Sequence, residues 1–184
     1  YKYATGQLQL FANRPKNESQ FKTEHTQKKK PRLEKGPIIV AVDTSGSMSG
    51  RPMQIAYAVL LQLLRLARKQ KRKVFLMSFS VGAKFLDLSL PRNWMRLKSF
   101  LENRFSGGTD GEEMLNLSIK MLQSKTFGMA DVLIISDFYF PLPKDSTWKK
   151  MLKEHGKGTC FYGLKIGSTD RLYDTILDKT WNIK

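Results

Sequence analysis

The chain has 184 residues, and its 32 Lys and Arg outweigh 16 Asp and Glu to give a formal charge of +16. That length suits one domain with a full core, and a sole cysteine, Cys160, excludes a disulfide framework or a zinc cluster. No apolar run has membrane-spanning length and no signal-peptide layout opens the chain, while the charge points toward nucleic acid, an anionic membrane or an acidic protein without choosing among them.

Cysteine usage favours a reducing compartment. Tyr1 is not an initiator methionine, so the chain is expected to be a piece of a longer protein. Residues Tyr1–Lys35 hold Asn13, Pro15, Asn17, the basic run Lys28–Lys30 and Pro31, with few regularly spaced apolar residues. They read as a basic arm or linker, ordered only where Leu8, Leu10 and Phe11 dock or pair with an edge strand. A domain over residues 36–184 is expected to follow.

From Gly36 the rhythm is strand, helix, strand, helix. Ile38–Val42 is a continuous apolar run, as in a parallel strand covered on both faces. Pro52 suits the first turn of a helix, and Met53, Ala56, Tyr57, Leu60, Leu63, Leu64 and Ala67 recur at helical spacing to about Lys69. Arg68, Lys69, Lys71 and Arg72 complement the negative pole at its end. Val74–Phe79 predicts a second strand, Ser80 to Gly82 a turn, and Phe85–Leu88 a short edge strand. Trp94, Leu97, Phe100 and Leu101 predict a helix that stops before Gly107 and Gly108. Asp110 and Glu113 form a capping pair for a helix carrying Met114, Leu117, Met121 and Leu122. Val132–Ile135 is a further buried strand, ending at Ser136 and Asp137. Ser146 is the expected cap of a helix with Trp148, Met151 and Leu152, which Gly156 ends. Cys160–Ile166 predicts a strand, Arg171–Leu177 a short helix and Trp181–Ile183 a closing segment. The alternation predicts an α/β fold: a doubly wound, mostly parallel sheet with helices on both faces, and ligands at the C-terminal ends of the strands.

Three separated segments bring oxygen ligands to those ends: Asp43, Ser45 and Ser47; Thr109 within Ser106-Gly107-Gly108-Thr109-Asp110; and Asp137. A buried strand has no use for such oxygens at its tip unless something hard and positive sits there. Two carboxylates and three hydroxyls, with waters, suit Mg2+ or Mn2+, with Ca2+ a further candidate, and the lack of soft or imidazole ligands argues against zinc or copper. Gly46 lets both serine hydroxyls face back to one point, and Gly107 and Gly108 let the second loop approach without side-chain bulk. D-x-S-x-S by itself is a weak pattern, because serines often cap helices. Its place at a strand end, with Gly-Gly-Thr-Asp and a later strand ending in Asp, is much more specific.

With these residues the sequence resembles a von Willebrand factor type A domain, over roughly Gly36 to Ile166. Asp43-Thr44-Ser45-Gly46-Ser47 matches the signature of the family's metal-ion-dependent adhesion site. The resemblance implies that Asp43, Ser45, Ser47, Thr109 and Asp137 form the metal set, with Asp43 and Asp137 acting partly through water and an acidic residue of a partner completing the coordination. Val42-Asp43-Thr44-Ser45-Gly46-Ser47-Met48, Phe105-Ser106-Gly107-Gly108-Thr109-Asp110 and Ile135-Ser136-Asp137-Phe138 are similar to the bacterial ViaA/CoxE-like group. That likeness implies a cytoplasmic adaptor of a MoxR-type AAA+ ATPase, its domain at the C-terminal end of a longer chain. Many extracellular relatives have Thr-Asp-Gly where this chain has Ser136-Asp137-Phe138, a departure that speaks against an adhesion receptor.

Catalysis would have to arise from the same residues. A P-loop and a dinucleotide glycine fingerprint are missing; Ser45 stands where a phosphotransfer site has its second aspartate; and Met48, not Ser47, is central between Gly46 and Gly50. His25 and His155 are expected in or beside loops away from the site. The expectation is a Mg2+-dependent protein-binding module and no enzyme. The competing reading is nucleic-acid binding, with Lys28, Lys29, Lys30, Arg32, Arg72 and Lys73 on phosphates and Trp94 or Trp148 as stacking groups, although both tryptophans sit at core spacing.

Overall fold

The computed structural model describes residues 36–102, 108–168 and 171–184. The arm over residues 1–35, with His25 and the Lys28–Lys30 run, lies outside them, as do Ser106 and Gly107.

Six strands form one sheet in the order β3-β2-β1-β4-β5-β6. They are β1 (Ile38–Asp43), β2 (Val74–Phe79), β3 (Ala83–Asp87), β4 (Asp131–Ser136), β5 (Phe161–Ile166) and β6 (Lys179–Ile183). All neighbours pair in parallel except β3, which returns antiparallel along β2. Every residue of β1 and β4 is buried. Ile38, Val40 and Val42 face one layer, with Leu60 and Leu63 of α1 (Arg51–Lys69) and Leu97 and Leu101 of α2 (Leu97–Glu102). Ile39 and Ala41 face the other, with Leu115 and Ile119 of α3 (Gly111–Leu122) and Met151 of α4 (Asp145–Gly156). The expected doubly wound sheet with helices on both faces is therefore present. Its strand order reverses between β1 and β4, and the crevice beyond the C-terminal ends of those strands is the switch point of such sheets.

Several elements differ from the sequence-based expectation. The edge strand begins earlier, at Ala83. Of the helix expected around Trp94, the part over Pro91–Arg96 is a 3-10 turn and only Leu97–Glu102 is α-helical. Asn93 Nδ2 donates to the Asp87 carbonyl and Trp94 Nε1 to that of Leu88, each at 2.7 Å, which draws the turn back onto the end of β3. Ser146 is not the cap of α4: Lys144 is, and no side chain of that residue closes the helix start. Glu112 of α3 closes it instead, accepting from the Lys144 N–H at 2.9 Å and from the Thr147 hydroxyl. A capping group brought from another helix leaves no local sequence mark. Leu172–Thr175 is a 3-10 turn in place of the expected helix, and the closing segment is the sixth strand.

Arg72 is also corrected. It is buried, not a surface phosphate contact: Nε donates to the Gly36 carbonyl at 2.6 Å, and Nη2 bonds Asp131 Oδ2 at 2.6 Å. Trp94 and Trp148 both pack against the core, which accounts for their spacing. Asp110 caps α3 as expected, its carboxylate accepting from the Glu113 N–H at 2.8 Å.

Candidate metal centre

The site is built at the tips of β1, β2 and β4. Asp43 ends β1, opposite Phe79 of β2. Val42 lies opposite Ile135, so Asp43 and Ser136 come next in register. Ser136 Oγ donates to Asp43 Oδ2 at 2.6 Å, and the Ser45 N–H donates to Asp43 Oδ1 at 2.8 Å. Both carboxylate oxygens are thereby held in place, each keeping a lone pair for another partner.

The residues after Asp43 alternate in direction. Thr44 turns toward β2, where its hydroxyl meets Ser78 Oγ at 3.1 Å and donates to the Phe79 carbonyl at 3.2 Å. Ser45 and Ser47 converge, with their hydroxyl oxygens 3.1 Å apart. The 3-10 turn Gly46–Met48 brings them together, and the fully buried Met48 anchors it. Gly50, with φ of 74°, then lets the chain enter α1, with Pro52 in its first turn.

Asp137 follows Ser136 directly. Its Oδ1 accepts from the Tyr139 N–H at 3.1 Å, closing a turn of the kind aspartates form with their own backbone. Ser136 Oγ also lies 3.4 Å from this oxygen, but its single proton serves the shorter contact to Asp43. It accepts from the Phe138 N–H at 2.9 Å as well. Thr109 is half-buried and sits one residue before Asp110, whose N–H donates to the Ser80 carbonyl at 2.8 Å. That bond ties the Thr109 loop to the tip of β2, beside β1.

Burial pushes the Asp43 carboxyl above its ordinary range, and the nearby Asp137 adds to this, against the hydrogen bonds from Ser136 and Ser45. Asp43 has no solvent exposure, and among the described residues no Lys, Arg or His forms an ion pair with it or with Asp137. A buried carboxylate with fixed geometry, hydroxyl neighbours and no counter-ion among the described residues suits a hard divalent cation. Among the described residues no three His, Cys, Asp or Glu side chains form a cluster, so a cation here would depend on hydroxyl ligands beside the two carboxylates. His155 lies in the last turn of α4, 3.3 Å from Asp178, and Cys160 is buried.

The structure thus brings Asp43, Ser45, Ser47 and Asp137 to one place and fastens the Thr109 loop beside them. Sequence reasoning missed Ser136 as a positioning group. Its signal was there, one residue before Asp137 at the end of an apolar strand, but only strand register shows that it faces Asp43.

A family model of the von Willebrand factor type A domain matches residues 38–139. Over 133 residues the chain is 36% identical to the regulatory protein ViaA of Edwardsiella ictaluri (strain 93-146), an alignment covering 72% of this chain and 28% of that protein. The chain thus spans under a third of that relative's length. Among solved structures, the conserved hypothetical protein BatB from Bacteroides thetaiotaomicron superposes with a TM-score of 0.55 at 17% identity, over 82% of this chain and 90% of that one. Proximal thread matrix protein 1 from the mussel byssus, solved with zinc in its MIDAS motif, gives a TM-score of 0.60 at 14% identity, over 82% and 44% of the two chains. At these identities the structural likeness carries the fold alone.

Proposed function

Since the chain belongs to the von Willebrand factor type A family, we propose that its strand tips form a metal-dependent docking site for another protein. Asp43, Ser45, Ser47, Thr109 and Asp137 would hold the cation, Mg2+ before Mn2+ or Ca2+. When bound, the cation would supply an electrophilic position that a partner's carboxylate completes. The chain's own residues do the rest. Ser136 and the Ser45 N–H orient Asp43. The Gly46–Met48 turn presents the two serines, and the Tyr139 N–H orients Asp137.

One observation carries this reading: Asp43 is fully buried and doubly hydrogen-bonded, yet no described cation pairs with it. A carboxylate sequestered in this way is neutralised by a proton or by an added ion, and the converging Ser45 and Ser47 hydroxyls fit the ion. The module is read as regulatory and not catalytic. Its proposed partner is a MoxR-type AAA+ ATPase in the cytoplasm, supported by the likeness to ViaA, and residues 1–35 are read as a basic arm outside the domain. No helix among the described residues is long and apolar enough to cross a membrane.

Affinity capture of partners from lysate, in Mg2+ and in EDTA, tests the reading. The expected result is a partner retained only with Mg2+ and lost with Asp43→Ala or with Ser45→Ala/Ser47→Ala, while far-UV circular dichroism stays unchanged. Equal capture in EDTA by these variants overturns it.

A further inference from the structure

The loop after β4 is held more firmly than a turn requires. Phe138 has φ of 58°, in the left-handed region that favours glycine. A glycine there would turn without strain, whereas a phenylalanine persists only where its surroundings hold it. They do so here. Phe138 and Phe140 are both buried, with ring centroids 5.7 Å apart, and they pack on Tyr173 at 5.1 and 5.2 Å. Phe140 also meets Phe79 at 6.2 Å and fills the space that a side chain at Gly111 would need. The Tyr173 hydroxyl donates to the Pro141 carbonyl at 2.6 Å. The loop is thereby clamped from β2, from the start of α3 and from the segment between β5 and β6.

Between the two buried rings, Tyr139 turns outward. Its side chain is among the most exposed of the large apolar ones, at 89%, although its own N–H bonds the Asp137 carboxylate. The turn after β2, at the same end of the sheet, also shows an apolar side chain to solvent, Val81. An aromatic residue fixed by its backbone loses little conformational freedom on contact, and such residues dominate binding at interfaces.

We infer that Tyr139 reads the residue beside the partner's ligating carboxylate, so that the site selects a protein segment in which Asp or Glu is flanked by a large apolar side chain. The inference rests on the docking reading above, which supplies the carboxylate; the exposed Tyr139, two residues after Asp137 and bonded to it through its N–H, supplies the second half of the recognition. A phenylalanine at position 138 then has a purpose that glycine could not serve, because its packing fixes the backbone from which the tyrosine projects.

A displayed library of random heptapeptides, panned on the 184-residue chain in Mg2+ and in EDTA, tests this. The wild-type chain is expected to enrich, in Mg2+ only, peptides with an acidic residue next to an aromatic or large aliphatic one. Tyr139→Ala should keep the acidic requirement, lose the apolar neighbour, and bind the wild-type-selected peptides at least tenfold more weakly. Alanine keeps the backbone N–H that bonds Asp137, and Tyr139→Phe should keep the neighbour preference. Acidic peptides with no neighbour preference, enriched equally by wild type and Tyr139→Ala, would overturn the inference and leave the metal site standing. Absence of any Mg2+-dependent acidic enrichment would remove the docking reading and this inference together.

Discussion

Two buried aspartates occupy opposite ends of the same sheet, and the fold treats them differently. Asp131 opens β4 and meets Arg72, whose guanidinium also bonds the Gly36 carbonyl and, at 3.2 Å, that of Pro37. The pair is closed: acid, cation and backbone acceptors all come from the chain. Asp43 closes β1 and meets only hydroxyl and N–H donors. Burying a charge is costly unless it is paired: Arg72 pairs the first aspartate, whereas no described cation pairs the second, which under the docking reading a bound ion would neutralise. Under that reading one end of the sheet is closed and serves stability, and the other is open to a ligand.

The largest effect should come from breaking the closed end. Arg72→Ala leaves Asp131 buried without its guanidinium, and urea denaturation should show a loss of about 3–5 kcal/mol, a large part of a domain's stability. Addition of Mg2+ should not restore it. The open end should behave in the opposite way. At a hundredfold excess over its Kd, Mg2+ should stabilise the wild-type chain by about 2.7 kcal/mol, and Asp43→Ala should show no such increment in thermal unfolding with and without EDTA. An equal Mg2+ response in that variant would erase the contrast between the two ends.

Ser136→Ala probes the join between Asp43 and the Asp137 turn. It removes the donor to Asp43 and the acceptor for the Phe138 N–H. Stability should fall by roughly 1–2 kcal/mol, and Mg2+ affinity by tenfold or more in calorimetry, as for other residues that orient metal ligands. Unchanged affinity would separate Ser136 from the site.

The smallest effect concerns Asp174, which lies near the open end but has internal partners. Burial raises its carboxyl, yet hydrogen bonds from Lys165 and Thr180 and the charges of Lys165 and Arg171 outweigh that, so it sits below the ordinary range. A lowered carboxylate contributes stability above its unfolded pKa, about 3.9, and that contribution is lost as pH falls through the folded value. Asn keeps an oxygen acceptor for the fully buried Lys165 ammonium, so Asp174→Asn should cost less than Arg72→Ala, roughly 1–2 kcal/mol at pH 7, and should flatten the acid limb of a stability-versus-pH curve. A variant with the same acid limb as wild type would count against the pairing.

Much of the architecture was legible in local pattern. The unbroken apolar runs around Val40 and Ile134 announced strands buried on both faces, and the spacing from Met53 to Ala67 announced α1. Elements whose partners are distant were misread. The Ser146 cap failed because Glu112 arrives from another helix. The helix around Trp94 began too early because side chains of Asn93 and Trp94 bond back to β3. Arg72 read as surface charge because its acid lies far along the chain, in another strand.

By itself, the sequence determined the alternation of strands and helices, the oxygen-rich tips of β1 and β4, and the glycines and Pro52 that shape the turns around them, because these depend on local periodicity and backbone freedom. Tertiary structure decided which oxygens meet and which charges are satisfied. Strand register set Ser136 against Asp43, the fold carried Arg72 to Asp131 and no described cation to Asp43, and three aromatic rings turned Tyr139 outward beside Asp137. Those outcomes depend on contacts between residues far apart in the chain, which only packing can bring together.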